Sequence, residues 1–271
     1  MSRRQRTKGA VVLIGGAEDK SGERAILGAI ARRAGTGPLV ICTAGSVIPE
    51  ELFDVYRAVF RGLGVRGISH AAIPNRENAD DAGLAETVRG AKAFFFTGGD
   101  QLRITSAISG SRLHRAIEEL YSGGGTVAGT SAGASALGQT MPVSTVEDEH
   151  RVAAAWKLLP GLALIPNVIV DQHFAQRGRM GRLIAGVAEN PRLLGIGINE
   201  DTALVWRKAA FDVIGAGAVY VVDGAGVSGS NVGDPRGQSA MSAFDLRLHV
   251  LSAGDHFDAA ARRPVGAVRS T

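Results

Sequence analysis

TVAGTSAGAS, residues 126–135, runs an apolar segment straight into a serine framed two residues away on either side by Gly129 and Gly133. Read as a strand, a sharp turn and the start of a helix, the stretch exposes Ser131 at the crest. Gly129 and Gly133 let the backbone bend there, and the amides opening the helix favour a developing negative charge. That is a site for acyl transfer. A Gly/Ala/Ser-rich turn without chemistry fits GTSAGAS (129–135) equally well, so the rest of the chain decides.

Upstream, AVVLIGG (10–16) reads as a buried strand running into a glycine turn, followed by a helical pattern through Ile26, Leu27 and Ile30. GGAEDKSG lacks both the Walker spacing and the full dinucleotide fingerprint, so it is a structural turn beside a pocket and not a phosphate loop. PLVIC (38–42) and GISHAAI (67–73) are further strands. Between them, residues 50–63 form a helix with apolar positions Leu52, Phe53, Tyr56, Val59 and Phe60. Residues 80–90 are helical, AFFFT (93–97) is a strand ending in GGDQ, residues 104–108 begin another helical stretch, and 112–121 form an amphipathic helix closed by glycines 123–125. Strands apolar throughout, each followed by a helix, give an α/β fold with a mostly parallel sheet covered on both faces. Sites in such sheets form at the carboxyl ends of the strands. Here those ends are GG at 15–16, GGDQ at 98–101 and GTSAG at 129–133, converging on one edge.

Downstream, residues 141–157, acidic in Glu147, Asp148 and Glu149, read as solvated surface, with a loop over the site as the alternative. PNVIVDQHF (166–174) places Asp171, Gln172 and His173 just past a strand, and a helix carrying Arg177, Arg179 and Arg182 follows. LLGIGINEDTALVW (193–206) gives two strands about Asn199, Glu200 and Asp201, and FDVIG and AVYVV are antiparallel additions to the sheet. SGSNVGDPRGQS (228–239) is loop-rich. The division expected is a disordered basic tail over 1–9, one α/β domain over 10–260 and a mobile tail over 261–271.

With 45% hydrophobic and 21% charged residues in 271, the composition is globular, and no apolar run is long enough to cross a bilayer. The net charge is +4, yet Arg3, Arg4, Arg6, Lys8, Arg262, Arg263 and Arg269 all lie in the tails. The body is therefore mildly acidic and offers no nucleic-acid footprint. The basic start has no apolar core of a secretory signal. Cys42, the single cysteine, lies in an apolar strand, which fits a structural thiol in a reducing cytoplasm.

Ser131 needs a base, and the base an orienting acid. Of six histidines, His114 falls in an exposed helix, His150 in the acidic loop, His249 and His256 in the irregular end, and His70 in a strand. Only His173 ends an apolar strand on the edge of Ser131, with Glu200 or Asp201 placed one unit later to orient it. The order is Ser, His, acid. An α/β-hydrolase would run Ser, acid, His and would need Asp212 or Asp223 with His249; it ranks second because the HGGG-type loop is missing. Ordinary polar capping of strand ends is the remaining reading of His173 and Glu200. Amides of Gly98 or Gly99 and of Ala132 are candidates for an oxyanion hole. Arg177, Arg179 and Arg182 suit a carboxylate-bearing substrate, with at least one of them facing solvent. No metal cluster and no cofactor loop is present, and the mechanism requires neither.

GGAEDK (15–20), FTGGDQLRI (96–104), GTSAGAS (129–135), DQHFAQRGRMGRL (171–183) and GIGINEDTA (195–203) together resemble the cyanophycinases, serine peptidases related to the α-aspartyl dipeptidases. The resemblance runs in order over roughly residues 10–225. It implies a fold like that of class I glutamine amidotransferases, and cleavage of cyanophycin, a polyaspartate bearing arginine on its β-carboxyls, into β-aspartyl-arginine dipeptides. Carried over, it makes Ser131 the nucleophile, His173 the general base, Glu200 the orienting acid, and Gly99 and Ala132 the oxyanion donors. Gln101, Asp171, Gln172, Arg177, Arg179 and Arg182 match pocket positions, and a homodimer is implied. Asn199 departs from the acid expected in many relatives. An α-aspartyl dipeptidase-like enzyme, or an exopeptidase for another acidic peptide, would look much alike, and a silent binding protein on the same fold is argued against by the intact Ser, His and acid.

Overall fold

Strands buried on both faces need a layer over each, and the first half of the chain supplies both. The computed structural model describes residues 9–144, 156–232 and 240–266. In order come β1 (Ala10–Ile14), α1 (Ala25–Ala34), β2 (Leu39–Cys42), α2 (Pro49–Gly62), β3 (Ile68–Ala71), α3 (Arg76–Ala79), α4 (Ala82–Arg89), β4 (Ala93–Phe96), α5 (Gln101–Ile108), α6 (Arg112–Ser122), β5 (Thr126–Thr130) and α7 (Ala132–Leu137). Pro49 opens α2 with Glu50 and Glu51 in its first turn, which suits the exposed amides there, and Phe53, Tyr56 and Phe60 form its buried stripe. Ser111 caps α6, its Oγ accepting the His114 amide at 3.1 Å.

β1, β5, β4, β2 and β3 lie side by side in that order, all parallel. Alternation divides their side chains: Val12, Ile14, Ile41 and Phe95 pack under α1 and α2, while Val11, Leu13, Val40, Phe94 and Phe96 face the opposite core with Ile104, Leu113 and Ile117. Burying each such side chain contributes about 1.5–3 kcal/mol.

The second half continues through β6 (Gly138–Ser144), β7 (Trp156–Pro160), β8 (Ile165–Gln172), α8 (Met180–Glu189), β9 (Leu194–Ile198), β10 (Thr202–Arg207), β11 (Ala210–Gly215), β12 (Val219–Asp223), β13 (Gly229–Ser230), β14 (Ala243–Phe244), β15 (Arg247–Leu251), β16 (His256–Asp258) and β17 (Arg263–Val265). Apart from β13 and β14, which pair only with each other, these strands divide between two sheets. β10, β11, β16 and β17 extend the first sheet antiparallel beyond β1, whereas β15, β12, β9, β8, β6 and β7 form a second sheet with β9–β8 and β8–β6 parallel. Val168, Val170, Ile196 and Val219 of the second sheet share the core of Val11 and Phe94, while Ile169 and Val222 face α8 through Leu183 and Val187. The layers are thus α1 and α2, the first sheet, a middle layer of α4–α7 beside the second sheet, and α8 outside. The α/β class is as expected, and so is FDVIG in β11 as an antiparallel addition to the first sheet; AVYVV in β12 instead pairs antiparallel within the second sheet, which the sequence did not reveal.

Three local expectations change. Arg177 and Arg179 precede α8, and Arg182 alone of the three lies in it. His249 and His256 sit in β15 and β16, because Leu251 and Phe257 anchor those short strands in the core. Residues 261–266, placed in the tail, are held by the β16–β17 pairing and by Arg262, which donates to Asp223 Oδ1 at 2.6 Å. Residues 1–8, most of the acidic segment 144–150 and residues 233–239 and 267–271 lie outside the described residues.

Candidate active site

Parallel order brings the carboxyl ends of β1, β5 and β4 together, and Ser131 stands at the end of the middle one, its amide donating to Ile14 O at 3.0 Å. The bend is made by Ser131 itself, at φ 54° and ψ −119°, a conformation L-residues seldom adopt. The glycines have a different task from the one expected of them. A Cβ on Gly129 would lie 2.5 Å from the Gly133 carbonyl, and one on Gly133 would lie 2.8 Å from Phe96 Cβ. They let β5, α7 and β4 approach closely, while the serine carries the strain. Every residue of α7 is buried.

His173 follows β8 of the second sheet. Its Nε2 lies 2.9 Å from Ser131 Oγ and its Nδ1 lies 2.6 Å from Glu200 Oε1. Glu200 lies in the connection by which the chain crosses from β9 in the second sheet to β10 in the first. The three side chains therefore form one line of hydrogen bonds, each group from a separate segment. A neutral imidazole in that line, with Nδ1–H toward the carboxylate, has its free nitrogen aimed at the hydroxyl.

The turn after β1 holds this line together. The His173 amide donates to Gly15 O at 2.8 Å, the Asp201 amide donates to Gly16 O at 2.9 Å, and Asp201 Oδ1 accepts the Asp19 amide at 2.9 Å. Gly16, at φ 98°, faces the His173 ring so closely that a Cβ would lie 2.4 Å from it. Ala17, Ser131, His173 and Asp201 all have positive φ, so strained backbone gathers where the three segments meet. Beneath Ser131, buried Glu18 accepts from Thr130 Oγ1 and Tyr56 Oη, each at 2.5 Å, and pairs with Lys20 at 3.2 Å. Burial, reinforced by Glu18, pushes the Tyr56 phenol well above its ordinary range. The sequence placed Gly15 and Gly16 at the site edge as a turn beside a pocket, but neither the packing of Gly16 against the His173 ring nor the Glu18 cluster was legible in it.

Gly99, at φ 131°, rests against Gly45 O, where a Cβ would lie at 2.0 Å, and Gly98 faces Ser131 Cβ, 3.4 Å from its own Cβ position. The Ala132 amide opens α7, where a helix has no internal acceptor. Gln172 Oε1 is 3.4 Å from Ser131 Oγ, and Gln101 Nε2 donates to Pro142 O at 3.0 Å, tying α5 to β6.

Asp171, Arg179 and Arg182, expected to line the substrate pocket, are joined to one another. Fully buried Asp171 accepts from Arg182 Nε at 2.6 Å, from the same guanidinium again, from Arg179 Nη1 at 3.3 Å and from the Gln172 amide at 2.8 Å. Arg179 also donates to Gln172 O at 2.6 Å. Two guanidiniums are thus turned inward on one carboxylate behind Gln172 and His173, because a buried carboxylate needs such partners. Of the three arginines only Arg177 is exposed. Asn199 Oδ1 accepts the Ala175 amide at 3.1 Å and holds the turn after His173.

The other described histidines are engaged elsewhere. His70 Nε2 meets Thr43 Oγ1 at 2.8 Å, His114 Nε2 meets Leu162 O at 3.0 Å, and His256 Nδ1 meets Asp212 Oδ1 at 2.7 Å. His249 packs edge-on against Phe257, and Asp223 pairs with Arg262 and Arg247, so the alternative partnership with His249 is not formed. His150 lies outside the described residues. Among the described residues, no group of three or more His, Cys, Asp or Glu side chains is placed to hold a metal ion, and no helix is long and apolar enough to cross a membrane.

Comparison with known proteins places this geometry in a lineage. The model of peptidase family S51 matches residues 11–214. A cyanophycinase of Trichormus variabilis is 38% identical over 257 residues, covering 93% of this chain and 86% of the relative, and one of Geminocystis herdmanii is 35% identical over 269 residues, covering 98% and 99%. Among solved structures, a peptidase from an acI-B1 Actinobacterium has the same fold at a TM-score of 0.71 and 22% identity, covering 94% of this chain and 98% of the other. A putative peptidase E protein from Listeria monocytogenes is more distant, with a TM-score of 0.52 and 13% identity over 77% of this chain and 99% of the other. With the family's pattern matched over most of its length and such relatives aligned nearly end to end, the chain belongs to peptidase family S51.

Proposed function

We propose that this chain is a serine exopeptidase that hydrolyses cyanophycin to β-aspartyl-arginine dipeptides. The observation that carries the reading is the unbroken line from Ser131 Oγ through His173 to Glu200, in a chain whose relatives bear the name cyanophycinase. His173 Nε2 takes the hydroxyl proton as Ser131 Oγ bonds to the scissile carbonyl carbon, and Glu200 stabilises the imidazolium through Nδ1–H. The Gly99 and Ala132 amides receive the oxyanion; losing one such donor typically costs about 3 kcal/mol of transition-state stabilisation. The imidazolium protonates the leaving amine, leaving an acyl ester on Ser131. Water then gives His173 a proton as it attacks the ester, and the serine leaves with that proton restored.

Gln172 and Arg177 are assigned to substrate contact, Gln101 to bracing the neighbouring wall, and Asp171, Arg179 and Arg182 to holding Gln172 and His173 from behind. The protein is further proposed to act from one peptidase domain, as a homodimer in a reducing cytoplasm. A second reading, an α-aspartyl dipeptidase-like exopeptidase for another acidic peptide, is favoured by one observation: Arg179 and Arg182 are turned onto Asp171, leaving Arg177 as the exposed guanidinium of the three. Dipeptide release from purified cyanophycin, set beside hydrolysis of an α-aspartyl dipeptide and a simple ester, separates the two for the parent and Ser131→Ala. Absence of β-aspartyl-arginine from the parent reaction sinks the first reading, and cleavage of the α-aspartyl dipeptide in its place establishes the second.

A further inference from the structure

One strand beyond the Gly98–Gly99 turn, the carboxyl ends of β2 and β3 open into a cavity of about 550 Å³ whose lining includes Thr43, Ser46, Glu50, Ile73, Arg76 and Arg103. That volume falls in the range of pockets that take small molecules or side arms. Ala44 and Ser46 of its lining flank Gly45, whose carbonyl accepts the Asp100 amide at 2.9 Å and is pressed against Gly99 of the candidate oxyanion turn. Cavity and nucleophile therefore lie on one edge of one parallel sheet, β5 and β2 being separated by β4.

The lining carries both signs of charge. The Glu50 side chain is 75% exposed, with His70 Nδ1 at 3.5 Å. Burial holds the His70 imidazole below its ordinary range, so at neutral pH it does not cancel that carboxylate. Of the two arginines in the lining, Arg76 donates through Nη1 to Ser109 O at 2.6 Å, while Arg103 makes no side-chain hydrogen bond or ion pair among the described residues. Val47, 79% exposed, adds apolar surface at the rim. An arginine joined through its α-amino group to a β-carboxyl presents a guanidinium at one end, a free carboxylate at the other and methylenes between. Glu50, Arg103 and Val47 match these three parts in kind.

We propose, on the footing of the cyanophycin reading above, that this cavity is a distal subsite that holds the arginyl arm of a repeat away from the scissile bond. Two strand spacings put it about 10 Å from the nucleophile's strand, which an extended backbone covers in about three residues. The subsite thus acts on long chains and is out of reach of the shortest substrate.

The test is steady-state dipeptide release by the full chain and by Glu50→Gln and Arg103→Gln, on long polymer and on an oligomer of two repeats. In each variant KM for the polymer rises about tenfold with kcat unchanged, while both constants for the two-repeat oligomer stay within about twofold of the parent. An unchanged KM for the polymer in both variants, or an equal rise on both substrates, overturns the subsite and leaves hydrolysis itself standing. A parent that releases no dipeptide from either substrate overturns the functional reading and the subsite together.

Discussion

An imidazole with a hydroxyl at 2.9 Å on one nitrogen and a carboxylate at 2.6 Å on the other is placed to relay a proton. Ser131→Ala and His173→Ala are each expected to lower turnover by about 10⁴-fold or more, with His249→Ala active; dipeptide release measures all three, and loss in His249→Ala with an active His173→Ala would revive the α/β-hydrolase order. Gly16→Ala tests the support of the ring. Its added carbon would lie 2.4 Å from the imidazole, and the displacement should cut kcat on the order of 10²-fold. A normal kcat in soluble Gly16→Ala protein would show that the ring tolerates the shift. At this scale the sequence was informative where chemistry demanded a residue type beside a strand end, as at Ser131, His173 and Glu200. It was silent where partnership decides a role: nothing in the spacing of Asp171, Arg179 and Arg182 says that the arginines turn inward on the aspartate.

The turn between β1 and α1 is organised by Asp19, whose Oδ1 accepts the amides of Ser21 and Gly22 and whose Oδ2 accepts that of Arg24 at 2.8 Å. Those amides, Arg24's foremost, hold its carboxyl at about 2, against an ordinary 3.8. A lowered folded-state pKa means the ionised group stabilises the fold. Its contribution is complete above the unfolded value and is lost as the pH falls through the folded one. Asp19→Asn should therefore melt earlier than the parent at neutral pH, with the difference closing toward pH of about 2; thermal melts across that range check it, and a gap independent of pH would assign the effect to packing. The β-turn-α unit itself was legible because apolar runs and glycines punctuate it. The Asp19 clamp was not, since an acid in a polar turn looks solvated until its loop is closed.

Across the whole molecule, two sheets share one core, and this was the least legible feature. β8 and β9 are apolar on both faces, and such a run reads identically whichever sheet it joins. His173 was still placed correctly at a strand end, though the strand belongs to the other sheet. Deep in the first sheet, Cys42 is buried and its thiol is pushed up to about 12 by that burial, so it should react with a thiol reagent only as the sheet opens. Labelling followed in denaturant should coincide with loss of the folded signal, and fast labelling of native protein would place an opening of β2 below the global transition. The split between the sheets bears also on when the enzyme can act. Ser131 is carried by the earlier half of the chain, and both His173 and Glu200 by the later half, Glu200 where the chain crosses from the second sheet to the first. A nascent chain that has emerged only as far as α7 holds Ser131 without His173 or Glu200, so the line of hydrogen bonds can close only after the later half has folded against the first sheet.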